Sequence, residues 1–225
     1  MDPRHTDDPD ASADPAARPG LFFVLDGLDG CGKSTQATRL AEGLRAAGRD
    51  VLHTREPGGT VLGERVRALL LDPGLGDLAP MAEVFLYQAS RAQLVEEVIR
   101  PALARGTIVV CERWHYATTA YQGAYEGVGR GAGEEALRLS SELATAGVEP
   151  DRAVLLDMPS VVSDKRVGED RDRLESRGDA YRRRVGQRFR EVFAARPTVC
   201  RRVDAEGSIE EVAARIWEVV RDLLD

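Results

Sequence analysis

Residues 27–34 read Gly-Leu-Asp-Gly-Cys-Gly-Lys-Ser and match the pattern G-x-x-x-x-G-K-[ST] at every specified position. The apolar run Leu21–Leu25 precedes them, as in a buried strand, and leucines at helical spacing follow in Thr35–Ala47. A strand, a glycine-rich turn and a helix start together aim backbone N–H groups at a phosphate. Lys33 adds a positive charge for the β- and γ-phosphates, and the Ser34 hydroxyl is placed to bind Mg²⁺. The segment therefore predicts a nucleoside triphosphate site.

The rest of the chain alternates between strand-like and helical segments. The predicted strands are Leu21–Leu25, Asp50–His53, Thr107–Cys111, Ala153–Leu156 and Thr198–Val203. The predicted helices are Thr35–Ala47, Leu62–Leu71, Ala82–Arg105, Ala117–Tyr125, Glu134–Ala146, Arg177–Ala194 and Ser208–Leu224. This alternation predicts an α/β fold with a five-stranded parallel sheet and helices on both faces. Pro101 should kink or end its helix locally.

Composition limits the function classes that fit this chain. A length of 225 residues suits one α/β domain. A net charge of −7 argues against a general nucleic-acid-binding protein, and no apolar run approaches the roughly 20 residues that span a membrane. The three scattered cysteines suit a reducing cytoplasm. Residues 1–20 are rich in proline and aspartate, so we expect a disordered acidic tail without a secretory signal, followed by one folded domain in residues 21–225.

The loops that follow the predicted strands are the candidate site, because ligands bind beyond the carboxyl ends of strands in such sheets. Arg55 follows the second strand and is suited to clamping an anionic substrate, although it also fits an ordinary turn with a surface arginine. Glu112 and Arg113 follow the third strand. A carboxylate there can serve a metal-bound water and the guanidinium can hold phosphate charge, whereas the simpler alternative is an ion pair that closes the strand.

Two further groups suit a nucleobase pocket. Tyr87 and Arg91 are four residues apart and share a helix face, although a core tyrosine beside a solvated arginine fits the same spacing. Residues 118–123 offer hydroxyls, a ring and an amide close together. An arginine-rich segment in residues 165–184 can close over phosphates, and we expect one to three of its arginines to act chemically while the others form a solvated helix face.

In this order, the motifs resemble those of thymidylate kinases. Members carry a Gly-Leu-Asp-Gly-x-Gly-Lys-Ser loop, an Arg-Glu-Pro-Gly-Gly-Thr segment, an Asp-Arg pair, an Ala-Tyr-Gln-Gly run and a lid with Asp-Arg-(Ile/Leu)-Glu. The matching residues here are 27–34, 55–60, 112–113, 120–123 and 172–175. The similarity extends from about Leu21 to the C-terminus. The second and fourth motifs are specific to the family, whereas the phosphate loop is not.

The resemblance implies a P-loop NTPase fold with a lid at about residues 164–178. It implies a cytoplasmic enzyme that transfers the γ-phosphoryl group of ATP to dTMP with Mg²⁺, giving dTDP for dTTP biosynthesis. The family is typically a homodimer packed through helices, so the Ala82–Arg105 segment is the candidate face. Gly30 stands where some members place an arginine, and this resembles the bacterial type, in which the lid supplies the catalytic arginine.

The resemblance also assigns roles to residues. The ATP-binding loop comprises Gly27, Leu28, Asp29, Gly30, Cys31, Gly32, Lys33, Ser34 and Thr35. Ser34 and Glu112 would serve Mg²⁺. The acceptor would be held by Asp29, Arg55, Pro57, Tyr87, Arg91, Arg113, Thr118, Tyr121 and Gln122. The catalytic group would comprise Lys33, Arg113 and the unranked lid arginines Arg166, Arg171 and Arg173.

Three positions depart from the family pattern and leave alternatives open. Tyr87 replaces a phenylalanine, Glu112 replaces an aspartate, and Trp114-His115-Tyr116 is bulkier than most family versions. Together they allow a shifted acceptor, such as a modified deoxyuridylate or deoxycytidylate. The Glu-Arg pair also resembles deoxynucleoside kinases, although a nucleoside would bring no phosphate for the Arg55 loop. A non-catalytic ATP-binding module ranks last, because it should have lost Lys33, Glu112 or the lid arginines. A GTPase is disfavoured because the sequence has no Asn-Lys-x-Asp motif.

Overall fold

The computed structural model describes residues 20–125, 128, 132–167, 173 and 177–224, and the acidic tail up to residue 19 lies outside this part. The described chain contains a five-stranded parallel sheet in the order β2-β3-β1-β4-β5. The strands are β1 Phe22–Asp26, β2 Val51–Arg55, β3 Ile108–Glu112, β4 Arg152–Asp157 and β5 Cys200–Asp204. The prediction of a five-stranded parallel sheet is therefore confirmed.

Each strand extends one or two residues beyond its predicted end and finishes on a charged residue. These residues are Asp26, Arg55, Glu112, Asp157 and Asp204. The apolar patterns end earlier because the sheet core needs apolar side chains, whereas the last residue of each strand lies at the carboxyl end of the sheet. All the strands are parallel, so these charges lie along one edge of the sheet.

Two hydrophobic layers cover the sheet, because successive side chains on a strand point to opposite faces. Phe22 and Val24 of β1 pack into one layer, and Phe23 and Leu25 pack into the other. All four are completely buried. The helices are α1 Lys33–Ala46, α2 Val61–Leu71, α3 Pro80–Leu94, α4 Arg100–Ala104, α5 His115–Tyr121, α6 Ala132–Thr145, α7 Ser160–Asp164, α8 Asp179–Ala194 and α9 Ile209–Val220. Helices α1 and α9 cover one face, and α3 to α5 with α8 cover the other.

The long predicted helix Ala82–Arg105 is interrupted, as expected from its proline. Between α3 and α4 lies a π-helical turn, Val95–Ile99, and Pro101 stands at the start of α4. A proline has no N–H for the preceding turn, which accounts for a local change of hydrogen bonding here. Short 3₁₀ turns follow α2, α5 and α9 at Pro73–Leu75, Gln122–Ala124 and Arg221–Leu223. In the described chain, no helix is long and apolar enough to cross a membrane.

The topology creates a crevice where the charged strand ends meet. Strand β1 lies in the middle of the sheet, with β3 and β2 on one side and β4 and β5 on the other. The first half of the chain therefore builds one side of the sheet, and the second half builds the other. Open α/β sheets bind ligands at such a point. The loop from β1 to α1 lies at this crevice, with Glu112 of β3 beside Leu25 of β1 in the strand register.

Candidate active site

The loop between β1 and α1 depends on glycines for its shape. Gly27 and Gly30 have φ values of 141° and 85°, in the region that favours glycine. A Cβ atom on Gly27 would lie 2.6 Å from the Leu156 carbonyl oxygen, and one on Gly30 would lie 2.2 Å from the Ser163 carbonyl oxygen. The N-cap of α1 is Gly32, which has no side chain to cap the first turn. The free N–H groups of that turn are therefore available to an anion.

Lys33 is held inside this loop. Its Nζ donates to the carbonyl oxygens of Leu28, at 2.8 Å, and Gly27, at 3.1 Å. The same atom lies 3.6 Å from an Asp29 carboxylate oxygen. The side chain is 8% exposed. These contacts place a positive charge at the start of α1, where the backbone N–H groups also point.

Ser34 and Glu112 bring two oxygen donors together beside the loop. The Ser34 hydroxyl donates to Oε2 of Glu112 at 2.5 Å, and Nε2 of His53 lies 3.0 Å from Oε1. Burial alone would raise the pKa of Glu112, but the hydrogen bonds from His53 and Ser34 outweigh it and hold the pKa below its usual value. Glu112 is therefore ionised at neutral pH.

This donor set fits Mg²⁺. The described residues contain no cluster of three or more His, Cys, Asp or Glu side chains that could cage a metal ion. Mg²⁺ commonly binds through one or two protein oxygens together with substrate phosphates and water. Ser34 and Glu112 therefore suit an ion that arrives with a nucleotide.

Arg113 connects the end of β3 to the phosphate loop. Its φ is 71°, which is uncommon for a residue with a side chain. The guanidinium forms an ion pair with Asp29, donates to the Gly27 carbonyl oxygen at 3.0 Å and reaches the Tyr121 hydroxyl at 3.2 Å. It also lies 3.4 Å from Asp26, which is completely buried. The unusual backbone thus aims the side chain at several partners.

The carboxyl group of Asp29 is held in its ionised form. Burial would raise its pKa, but the charges of Arg113 and Lys33 and a hydrogen bond from Tyr121 keep the pKa well below its usual value. Tyr121 donates to this carboxylate at 2.7 Å. The pKa of Asp26 shifts the other way, because burial outweighs the opposing charge of Arg113.

A cleft opens beside this ion pair. It is lined by Asp29, Glu56, Pro57, Arg67, Leu71, Tyr87, Arg91, Arg113, Trp114, Ala117, Thr118, Tyr121 and Gln122. We call it the acceptor cleft. Its lining combines aromatic and apolar side chains with several charged and polar ones, which suits a polar small molecule that carries a ring.

A second, more open cleft surrounds the phosphate loop, and we call it the donor cleft. It is lined by Asp29, Gly30, Gly32, Lys33, Ser34, Thr35, Arg55, Glu56, Arg67, Glu112, Arg113, Arg166 and Val167. The two clefts share Asp29, Glu56, Arg67 and Arg113. Ligands in the two clefts would therefore meet at a wall that contains two arginines.

Arg91 lies in the wall of the acceptor cleft and is almost fully buried. It donates to Glu56 at 2.7 Å, to Gln88 at 2.5 Å and to the Thr118 hydroxyl at 3.2 Å. Its guanidinium carbon lies 5.6 Å from the centre of the Trp114 ring. A guanidinium fixed on several sides presents its remaining N–H groups in a defined direction.

Glu56 is the ionic partner of Arg91 and is itself 4% exposed. Burial raises its pKa to about 7, although the charge of Arg91 acts in the opposite direction. The oxygen Oε1 has no hydrogen-bond partner among the described residues. Glu56 therefore titrates near neutral pH in a wall that both clefts share.

The structure gathers most of the predicted acceptor residues in one place. Only Arg55 of that set does not line the acceptor cleft; it lies in the donor cleft, half-exposed, with its guanidinium 3.1 Å from Glu64. Among the candidate lid arginines, Arg166 lines the donor cleft. Arg173 is buried in an ion pair with Glu83 and donates to the Leu70 carbonyl oxygen at 3.0 Å. Arg171 lies outside the described residues, as do Asp172, Leu174 and Glu175 of the lid motif.

The sequence reasoning did not single out Glu56, Arg67 or Glu83. Glu83 is completely buried and accepts hydrogen bonds from Gln122, at 2.7 Å, and Tyr125, as well as the Arg173 ion pair. Arg67 and Glu83 lie on amphipathic helices, where an isolated charged residue is usually exposed to solvent, so the sequence pattern did not distinguish them. Glu56 could have been identified, because it stands between Arg55 and Pro57 in a motif that the sequence analysis recognised.

Comparisons with known proteins agree on one family. A family model described as thymidylate kinase matches residues 25–216. A thymidylate kinase of Bifidobacterium longum (strain NCC 2705) is 45% identical over 207 residues, covering 91% of this chain and 98% of the relative. One from Synechococcus sp. (strain JA-2-3B'a(2-13)) is 46% identical over 206 residues, covering 91% and 96%. The crystal structure of thymidylate kinase from Ehrlichia chaffeensis has a TM-score of 0.73 at 27% identity, covering 90% of this chain and 100% of that one.

We expect Glu56→Gln to weaken the pH dependence of stability. The pKa of Glu56 is about 7 in the folded protein and lies above the ordinary value of 4.5, so the folded state retains a proton that the unfolded chain releases. The stability from this proton is fully present below the ordinary pKa and is lost as the pH rises through 7. Urea unfolding between about pH 5 and about pH 8 should show a loss of about 2–3 kcal/mol in the wild type that is missing from the variant.

Glu210→Gln is the control, since Glu210 is an exposed carboxylate on α9. It should follow the wild-type pH dependence. Parallel curves for the wild type and Glu56→Gln would contradict the assignment of the neutral-pH titration to Glu56.

Proposed function

The chain belongs to the thymidylate kinase family, and we propose that it transfers the γ-phosphoryl group of ATP to dTMP across the wall that its two clefts share. The bond between the γ-phosphorus and its bridging oxygen breaks, a bond to an oxygen of the dTMP phosphate forms, and ADP and dTDP leave. The observation that carries this proposal is the shared wall, which contains Arg67 and Arg113. Phosphoryl transfer needs positioning and charge neutralisation more than covalent participation by the protein.

The phosphates of ATP would lie in the donor cleft. The N–H groups at the start of α1 would bind phosphate oxygens, and Lys33 would exchange its carbonyl contacts for the β- and γ-phosphates. Ser34 and Glu112 would hold Mg²⁺. When bound, this ion neutralises charge on the β- and γ-phosphates. Thr35 and the remaining loop residues complete the cradle.

The phosphate of dTMP would lie at the shared wall, between Arg113 and Arg67. Arg55 stands on the donor side of that wall and can approach the same anion. The ionised Asp29 would accept a hydrogen bond from the sugar 3′-hydroxyl, beside Tyr121 and Pro57. A cluster of arginines at this point favours an acceptor that brings its own phosphate. It therefore argues against a nucleoside as the acceptor.

The base of dTMP would lie deeper in the acceptor cleft, against the Tyr87 ring. Gln122 donates from Nε2 to Glu83 at 2.7 Å, which leaves its carbonyl oxygen as the group that can face a ligand. Thymine has an N–H at position 3 that this oxygen can accept, whereas the same nitrogen of cytosine is itself an acceptor. Arg91, held beside Thr118, offers donors to a base carbonyl. This arrangement supports thymine over cytosine.

The test of this function is a coupled ADP-release assay with ATP and Mg²⁺. We expect dTMP to give a higher kcat/KM than dCMP by at least about tenfold, equivalent to about 1.4 kcal/mol, because a buried mismatch with Gln122 leaves polar groups unpaired. The same assay also tests dUMP, 5-substituted deoxyuridylates and thymidine as acceptors. The Lys33→Ala variant is the inactive control. A higher kcat/KM for any of these than for dTMP would overturn the proposed acceptor.

Of the two candidate lid arginines that the structure describes, Arg166 and Arg173, we favour Arg166 as the one that acts on the transferred group. Arg166 lines the donor cleft and is exposed there, whereas Arg173 is already bound to Glu83. An arginine free to approach the γ-phosphate can stabilise charge in the transition state. We assign Arg173 instead to holding the acceptor side, next to Gln122.

Arg166→Ala should lower kcat by about 10³-fold or more, as expected when an arginine that neutralises transferring charge is removed. The KM for dTMP should change little, since Arg166 does not line the acceptor cleft. Steady-state kinetics with both substrates measures this. Arg183→Ala provides the control, because Arg183 is an exposed arginine that does not line either cleft. Equal kcat values for the two variants would exclude Arg166 as the catalytic arginine.

We also propose that the enzyme is a homodimer in the cytoplasm. Exposed apolar side chains lie on α2, α3 and α6, where α3 packs between the other two; they are Leu69, Phe85, Leu139 and Leu143. Soluble monomers seldom leave large apolar patches uncovered, and a second copy using the same face would bury them symmetrically. The free, buried thiols of Cys31, Cys111 and Cys200 suit a reducing compartment.

Phe85→Asp should convert the dimer to a monomer, because it places a charge at the centre of an interface that must be desolvated. Size-exclusion chromatography with light scattering at micromolar concentration reports the mass. Val161→Asp is the matched control, since Val161 is 62% exposed, close to the 61% of Phe85, but lies on α7. A dimer that survives Phe85→Asp would rule out this face.

A further inference from the structure

The carboxylate of Glu112 stands between two openings in the molecular surface. One side faces the donor cleft, where Oε2 accepts from Ser34 at 2.5 Å. The other side faces a shallow groove along β2, where Oε1 lies 3.0 Å from Nε2 of His53. His53 lines this groove but not the donor cleft. It is therefore placed to act on Glu112 rather than on a nucleotide.

The strand register explains how the contact forms. Arg55 of β2 is paired with Glu112 of β3, and His53 lies two residues earlier on β2. Alternate residues on a strand share a face, so His53 and Glu112 are on the same side of the sheet and diagonal to each other. The glutamate side chain must reach back along the sheet to meet the ring.

The length of the Glu112 side chain determines whether it can reach His53. An aspartate would be shorter by one carbon–carbon bond of about 1.5 Å. The separation from His53 would then grow from 3.0 Å to about 4.5 Å, beyond hydrogen-bond distance. A glutamate also has one more rotatable bond than an aspartate, so it loses more conformational freedom when it is fixed in place. The hydrogen bond between His53 and Oε1 restricts the conformational freedom of Glu112 before a metal ion binds.

We propose that His53 is a positioning residue that orients Glu112 for the metal ion of the reaction. An ionised carboxylate can only accept hydrogen bonds, so His53 donates from Nε2. With Oε1 held by His53, Oε2 is directed toward Ser34 and the nucleotide phosphates. This inference rests on the proposed function, because it takes Glu112 as a ligand of that ion.

The probe is Mn²⁺, measured as free ion by electron paramagnetic resonance during titration of the full chain. The protein is saturated with an ATP analogue whose γ-phosphoryl group cannot be transferred. We expect His53→Leu to weaken Mn²⁺ binding by about tenfold, the lower end of what loss of a partner to a metal ligand costs. His53→Gln retains an N–H donor and should recover most of the affinity.

A double-mutant cycle separates positioning from a general structural effect. In the Glu112→Asp background the carboxylate no longer reaches His53, so adding His53→Leu should change Mn²⁺ affinity by less than about twofold, whereas independent effects would multiply. His115→Gln is the matched control, because His115 also contacts a carboxylate, Glu149 at 3.3 Å, but lines neither cleft. It should leave Mn²⁺ affinity unchanged. Thermal midpoints identify any variant that fails to fold, and His53→Ala then replaces His53→Leu.

The outcomes distinguish this inference from the function on which it rests. Unchanged Mn²⁺ affinity in His53→Leu, with a large loss in Glu112→Gln, overturns the role of His53 and leaves Glu112 as a ligand. An equal loss from His53→Leu in both backgrounds also overturns it. Unchanged affinity in Glu112→Gln refutes Glu112 as a metal ligand, and the role of His53 with it.

Discussion

The ion pair between Arg113 and Asp29 connects the parts of the molecule that the site needs. Arg113 follows β3, and its backbone N–H donates to the Leu25 carbonyl oxygen of β1 at 2.9 Å. Its guanidinium then reaches Asp29 in the phosphate loop and Tyr121 of α5. One residue therefore connects the central strands, the phosphate loop and helix α5 of the acceptor cleft. Without Arg113, Asp29 would keep Lys33 and Tyr121 as partners, and without Asp29, Arg113 would keep Asp26, so the pair is part of a small charge network.

The same arrangement prepares the site electrostatically before any substrate binds. Lys33 and Arg113 both contact Asp29, and Arg91 contacts Glu56, so each cation already has a carboxylate partner. Charges that are fixed in place need little reorganisation when negative charge develops on the transferred group. The pKa of Glu56 is raised because burial disfavours its ionised form more than the charge of Arg91 favours it.

Local patterns were sufficient for the sheet and for the loop motifs, because both depend on residues that are close in the sequence. The phosphate loop, the strand alternation and the break at Pro101 each follow from a few consecutive residues. The role of Glu83 depends instead on Gln122, Tyr125 and Arg173, which are distant in the sequence, and nothing in the helix pattern distinguishes this acid from a solvated one. The choice between Arg166 and Arg173 also requires the structure, because the fold determines which guanidinium pairs with Glu83 and which lines the donor cleft.

Of the bulky segment after β3, only Trp114 lines the acceptor cleft. Trp114 has no exposed surface and packs edge-on against Phe22 with ring centres 4.9 Å apart. His115 and Tyr116 are buried as well and line a different cavity from the acceptor. The extra volume of this segment is therefore taken up by the core. Trp114 itself lines the acceptor cleft, where its ring lies 5.6 Å from the guanidinium carbon of Arg91.

The other two departures from the family pattern have different consequences. At Glu112, the added methylene is matched by His53, which occupies the position that the longer side chain can reach. Tyr87 is half-buried and lines the acceptor cleft, so its hydroxyl changes a surface that a substrate would meet. The Tyr87 hydroxyl is therefore one place where a change of acceptor could arise, while Arg91 and Gln122, which we propose to contact the pyrimidine edge, are held by buried partners of their own. A pocket whose polar groups are fixed from behind tolerates variation in the stacking ring, since stacking has little directional requirement compared with a hydrogen bond.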